Sequence, residues 1–111
     1  MVAQPGPFAR SRARFLAGRG RPMTLRRGAG EPVALVGYLR RYGPDALVGA
    51  LRQGDASVEI MAAPLTAAGF EAPPREPDEL RTQGNSWTVL FAAPIYEGAD
   101  LIGYTLTVRG G

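Results

Sequence analysis

Few residues in this 111-residue chain are of types that do covalent or proton chemistry. Glu76, Asp78 and Glu79 fall within four positions, and three carboxylates so close have the ligand type for Ca²⁺ and the pair needed for general acid–base work. They stand in a proline-rich run, where the plainer reading is solvated charge. The serines, Ser11, Ser57 and Ser86, have no histidine to activate them, because the chain contains none, so a serine triad is excluded. Zero Cys removes disulfides, thiolate metal sites and cysteine nucleophiles. All 13 basic residues are Arg, so Schiff-base chemistry and a phosphate-loop lysine are absent too. Gly18-Arg19-Gly20 lacks the third glycine and the preceding strand of a nucleotide loop. The expectation is a chain that is not an enzyme, with no catalytic residue, no cofactor and no metal.

What remains is the chemistry of recognition. Residues 1–27 hold seven arginines and no acid, a charge of +7, whereas the rest holds six arginines against ten acids, a charge of −4. A basic arm on a mildly acidic body points to an anionic partner, either nucleic acid or an acidic protein surface. Phe8, Phe15 and Leu16 form an apolar stripe beside Arg10, Arg14 and Arg19. Phosphate has no use for such a stripe but a neighbour's groove does, which favours protein slightly over DNA. Arg40 and Arg41 beside Tyr42 form a second basic and aromatic candidate, suited to an interface. Trp87 with Tyr38, Tyr96 and Tyr104 has the composition of a base-stacking platform, but Tyr38 and Tyr104 sit among Val, Leu and Ile, so core packing is the simpler reading.

These residues need a scaffold. The length allows one domain, and 45% apolar residues suffice for one core, while 15 Gly and 10 Pro demand frequent turns. No run of about 18 apolar residues occurs and the N-terminus lacks a signal-like apolar stretch, so the chain reads as soluble and non-secreted, without membrane contact. Residues 1–22 read as a basic, Pro/Gly-punctuated arm with a short helix over Phe8–Ala17, expected to leave the body; residues 23–111 read as a single β-barrel domain. Pro32–Tyr42 reads as a strand buried on both faces, Pro44–Leu51 as a turn or single helical turn, and Gln53-Gly54-Asp55 as a tight turn. Ser57–Met61 alternates as a strand, Pro64–Ala68 starts with proline and stops at Gly69 as a short helix, and a hairpin turns at Gly84-Asn85. Glu97–Asp100 turns into a last strand carrying Ile102, Tyr104, Leu106 and Val108. The fold class is therefore mainly β, a small antiparallel barrel or sandwich with one or two short helices. Alternation places Val33, Leu35, Val58, Ile60, Trp87, Val89, Phe91, Ile102, Tyr104 and Leu106 in the core. The loop carrying Pro73, Pro74, Glu76, Pro77 and Asp78 has low entropy to lose and acids to offer, and is expected to face a neighbour.

From Arg52 to Arg109 the chain resembles the small head-to-tail joining proteins of tailed bacteriophages, the connector or stopper rings below the portal. The resemblance is carried by RQGDASVEIMAAPLTAAGF, the proline-rich PPREPDEL, the hairpin RTQGNSWTVLFAAPIYEG and the closing strand LIGYTLTVRGG. It implies a barrel protomer in a six-fold or twelve-fold homo-oligomeric ring of the virion neck, made in the host cytoplasm and joining the DNA-filled head to the tail. The implied partners are the portal or adaptor protein on one side, the tail terminator or tail tube protein on the other, and DNA in the channel lumen. No catalytic residue is implied. The basic extension before Met23 departs from the family layout. The alternatives are a tail terminator or other tail ring protein, and a small non-enzymatic nucleic-acid-binding β-barrel.

Overall fold

The computed structural model describes residues 6–41 and 55–110. The elements run α1 (Pro7–Arg19), β1 (Arg21–Arg26), β2 (Val33–Arg41), β3 (Asp55–Met61), α2 (Ala63–Ala67), β4 (Glu79–Thr82), β5 (Asn85–Glu97) and β6 (Asp100–Gly110). The six strands close into an antiparallel barrel in the order β1-β2-β3-β6-β5-β4, with β4 pairing back to β1. Closure leaves no sheet edge around most of the circumference, which is how a small β protein avoids edge-to-edge association. Residues 1–5 of the arm, the turn or single helical turn at Pro44–Leu51, Tyr42 and all but Asp55 of the turn at 53–55 lie outside the described residues. Asp55 itself opens β3.

Period-two alternation decides what fills the barrel. Met23 and Leu25, Val33 and Leu35, Val58 and Ile60, Leu80, Trp87 and Val89, then Tyr104, Leu106 and Val108 point inward and form one buried cluster. Each fully buried Leu, Ile or Val contributes roughly 1.5 to 3 kcal/mol by leaving water. β2 departs from expectation, because Ala34 and Val36 are exposed while Val33 and Leu35 are buried. A barrel wall has one inner face, so a strand buried on both faces has no place in it.

Phe91 is the second correction: it is 56% exposed. The register on β6 shifts between Val89 and Phe91, and this bulge moves the side chains beyond it to the opposite face. A third correction is the hairpin turn, whose central residues are Gln83 and Gly84, with φ of 53° and 79°, while Asn85 already pairs with Thr82. Positive φ at both positions is the two-residue turn whose twist matches a β-hairpin.

The lower end of the barrel is closed by α2 and by the loop of residues 71–78. Leu65 plugs the core from α2, and the loop is held by Arg27, just after β1. β1 starts at Arg21, so the last two residues assigned to the arm belong to the barrel wall.

Candidate interaction surface

α1 starts at Pro7, a residue whose fixed φ suits the first helical position, but its N-cap is Gly6, which has no side chain to offer. The cap comes from the other end of the chain. The two carboxylate oxygens of Glu97 accept the backbone N–H groups of Phe8 and Ala9, each at 3.0 Å. A carboxylate here satisfies two of the helix's unpaired donors and sits at the positive end of its dipole. A Cβ at Gly6 would meet the Glu97 carboxylate, so a larger residue there would make the Glu97 side chain shift from its capping position.

Ala9 and Leu16 are buried against the barrel wall. On the same side, Arg12 donates to Glu59 at 2.7 Å, and Phe15 meets Tyr38 edge to face with centroids 5.1 Å apart. The helix is thus fastened to β5, β3 and β2 in turn. The helical part of the arm, Pro7–Arg19, does not leave the barrel as the +7 charge of residues 1–27 suggests, because Glu97 and Glu59 of the same chain supply counter-charge and Leu16 supplies an apolar anchor.

Five of the residues expected to meet a partner stay exposed along α1. Phe8 and Phe15 remain 45% and 42% exposed, and Arg10, Arg14 and Arg19 are exposed as well. Phe8 and Phe15 are two turns apart on one flank. With Ser11, Arg12 and Glu59 they line a groove of about 300 Å³, and the Arg12 guanidinium lies 5.5 Å from the Phe8 ring centre. The wall beside the helix extends this surface. Arg40, Ser57, Thr107 and Phe91 are successive cross-strand partners, and partners across a ladder share a face. That row is the neighbour of Tyr38, Glu59, Thr105 and Ala93, the row on which Phe15 and Arg12 rest. Phe8, Phe15 and Phe91 therefore lie on the α1 side of the molecule, with Arg40 in the same outer row as Phe91. Alternation along the sequence places Phe91 inside, and only the bulge brings it out.

Arg40 and Arg41 do not form one patch. Adjacent strand residues point to opposite faces, so Arg40 joins the outer row while Arg41 lies over the Trp87 ring, 5.0 Å from its centre, at the upper end of the barrel. Trp87 and Tyr104 are buried in the core, as expected of space-filling rings, while Tyr96 is 55% exposed on β5.

The loop before β4 divides in two. Pro73, Glu76 and Pro77 are exposed, but Pro74 and Asp78 are buried, so those two face their own barrel rather than a neighbour. Asp78 is held there by Arg27. Nε and Nη2 of Arg27 donate to the two Asp78 oxygens at 2.9 Å each, Nη1 donates to the Glu71 carbonyl at 2.7 Å, and Nη2 also reaches the Pro73 carbonyl at 3.1 Å. The guanidinium further stacks 4.6 Å from the centre of the Phe70 ring. The hydrogen bonds to Asp78 hold the Arg27 proton above its usual affinity. Counting Arg27 with the arm by charge conceals this role; an arginine just ahead of a Gly-Ala-Gly turn carries no signal of its partner some fifty positions on. Glu79 bonds to Arg26 and Ser86, so the trio of carboxylates is dispersed. Among the described residues no group of His, Cys, Asp or Glu is placed to hold a metal ion, and no helix is long and apolar enough to cross a membrane.

Comparison with protein-family models and with curated proteins finds no match for this chain.

Proposed function

We propose that this chain is a structural ring subunit of the neck of a tailed bacteriophage, a head-to-tail connector or stopper joining the portal or adaptor to the tail. The reading rests on the resemblance carried by residues 52–109, and one observation of the surface supports it. The barrel carries two different and complementary faces. The α1 side offers Phe8, Phe15, Phe91 and Arg14, all exposed; the loop at the lower end, on the β1–β4 side, offers exposed Glu71, Pro73, Glu76 and Pro77. A protein whose two mating patches differ and lie on separate parts of its surface associates head to tail, and such contacts close into a ring when the rotation allows. Prolines limit the entropy lost when the loop docks, and its acids meet the arginines of the next subunit's helix. The ring's two remaining faces are left for the portal or adaptor and for the tail terminator or tube, with DNA passing through the lumen.

The test is the particle mass of the purified chain, followed by cryo-EM of virions carrying a tagged copy. A closed oligomer many times 11.8 kDa, and density for the tag at the head–tail junction, are the expected results. A monomer that binds duplex DNA with affinity falling steeply as salt rises would overturn the reading in favour of a free nucleic-acid-binding barrel.

A further inference from the structure

The upper end of the barrel is chemically unlike the lower. Inward alternation on β1 runs Leu25, Met23, Arg21, and on β2 Val33, Leu35, Gly37, Leu39, Arg41. On β4 it ends at Thr82, and on β5 it starts at Asn85 before Trp87. Strand positions that continue an apolar core therefore terminate in two arginines, a hydroxyl and an amide. With Met23, Leu39, Gln83 and Trp87 these residues line a pocket of about 160 Å³.

Donors outnumber acceptors there. The Trp87 Nε1–H is buried and has no hydrogen-bond partner among the described residues. Such a donor costs about 1 to 3 kcal/mol when it is left unpaired. Arg21 and Arg41 have no ion-pair partner among the described residues, and Arg41 rests on the Trp87 ring. The acid nearest in register, Asp55 beside Arg41's partner Ala56, is taken by Arg109 through two bonds of 2.7 and 2.9 Å. Thr82 spends its hydroxyl proton on the Pro22 carbonyl. Among the described residues this corner lacks a free acceptor carrying negative charge.

We infer that the mouth formed by Arg21, Arg41 and Trp87 is a binding site for a carboxylate on a short apolar stem. Guanidinium forks match the two oxygens of a carboxylate, and the apolar floor of Met23, Leu39 and the indole suits the stem better than it suits a fully hydrated phosphate. A cavity near 150 Å³ holds one benzene-sized body, so the ligand is no larger than a single ring or side chain. It is either a free small carboxylic acid or the carboxylate of another chain's side chain reaching into the mouth. The site lies apart from the α1 and loop faces, so it stands whether or not the chain forms rings.

Trp87 is the chain's one tryptophan and reports directly on the site. The full-length protein is titrated at constant ionic strength with sodium benzoate, with an acetylated Gly-Glu-Gly amide, and with neutral benzamide, following indole emission and the indole N–H resonance. Saturable shifts in both signals with benzoate or the peptide, and none with benzamide, are expected. Arg41→Gln and Arg21→Gln should each weaken the binding about ten-fold, the worth of one lost charge-assisted hydrogen bond, while the far-UV spectrum stays unchanged. Tighter binding of the peptide identifies another chain's side chain as the source, and binding of benzoate alone identifies a free acid. Equal responses to benzoate and benzamide, no saturable response to either carboxylate, or undiminished binding by both variants would overturn the inference.

Discussion

Arg27 shows how one side chain fixes a loop that has no ladder bonds of its own. Its fork reaches the Asp78 carboxylate and the carbonyls of Glu71 and Pro73 at once, a geometry that the point charge of lysine does not reproduce. Arg27→Ala leaves the buried Asp78 carboxylate with the Arg75 N–H but no opposite charge, and should cost about 3 kcal/mol of stability in chemical denaturation. Asp78→Asn combined with Arg27→Ala should cost less than the sum of the single changes, because the double variant leaves no buried charge alone. Tyr104 makes a second prediction at this scale. Burial raises its phenol above the ordinary value of 10.0, with a smaller contribution from Tyr96. The folded state therefore holds the proton more tightly than the unfolded chain, so this contribution to stability is complete below pH 10 and is lost as pH rises through the higher folded value. Tyr104→Phe should flatten the fall in stability on the alkaline side and leave neutral behaviour little changed. A variant that loses stability above pH 10 as steeply as the parent would show that another group titrates.

The elements divide according to whether their signal is local. β3 and β6 were legible because strict alternation needs no knowledge of the partner strand: Val58, Ile60, Tyr104 and Leu106 are all buried. α2 was legible from its opening proline and its stop at Gly69, where φ is +72°. What could not be read depends on residues distant in the chain. The bulge that turns Phe91 outward belongs to a register set jointly by β5 and β6. The docking of α1 depends on Glu97, 89 positions from Phe8. The same limit applies to the candidate surface: the α1 residues declare themselves by type, whereas the exposure of Phe91 and the burial of Pro74 and Asp78 against their own barrel depend on contacts distant in the chain. Two changes test these elements. Glu97→Ala should free the α1 amides to exchange faster and cost about 1 kcal/mol, the usual worth of a cap, while the strands keep their protection. Gln83→Asn places a residue more tolerant of positive φ at the first turn position and should add roughly 0.5 kcal/mol, within the range of surface turn improvements.

At the scale of the molecule, charge and shape are arranged along different directions. The barrel is a closed, self-sufficient core, so the exposed phenylalanines are not needed to hold it together: Phe91→Ala should change stability by less than about 0.5 kcal/mol, against about 2 to 5 for Leu106→Ala. The proposed head-to-tail contact gives these exposed groups their role, and it makes a prediction that a general loss of solubility or folding cannot imitate. Arg14→Glu on the helix face and Glu76→Arg on the loop face each place like charges opposite one another in every subunit contact, so each variant alone should remain folded and monomeric. Combined in one chain they restore an opposite-charge pair at the same contact, and the double variant should regain the large oligomer. Mixing the two single variants should restore it as well, with the two alternating around the ring. The acidic helix and acidic loop of the first then each meet a basic loop or a basic helix of the second, and native mass spectrometry should find the two in equal numbers. Electrostatic steering is screened by salt, so recovery should be strongest below about 0.1 M and fade at higher ionic strength, whereas the apolar contacts of Phe8 and Phe15 should not. Single variants that assemble like the parent would show that α1 and the loop of residues 71–78 do not meet.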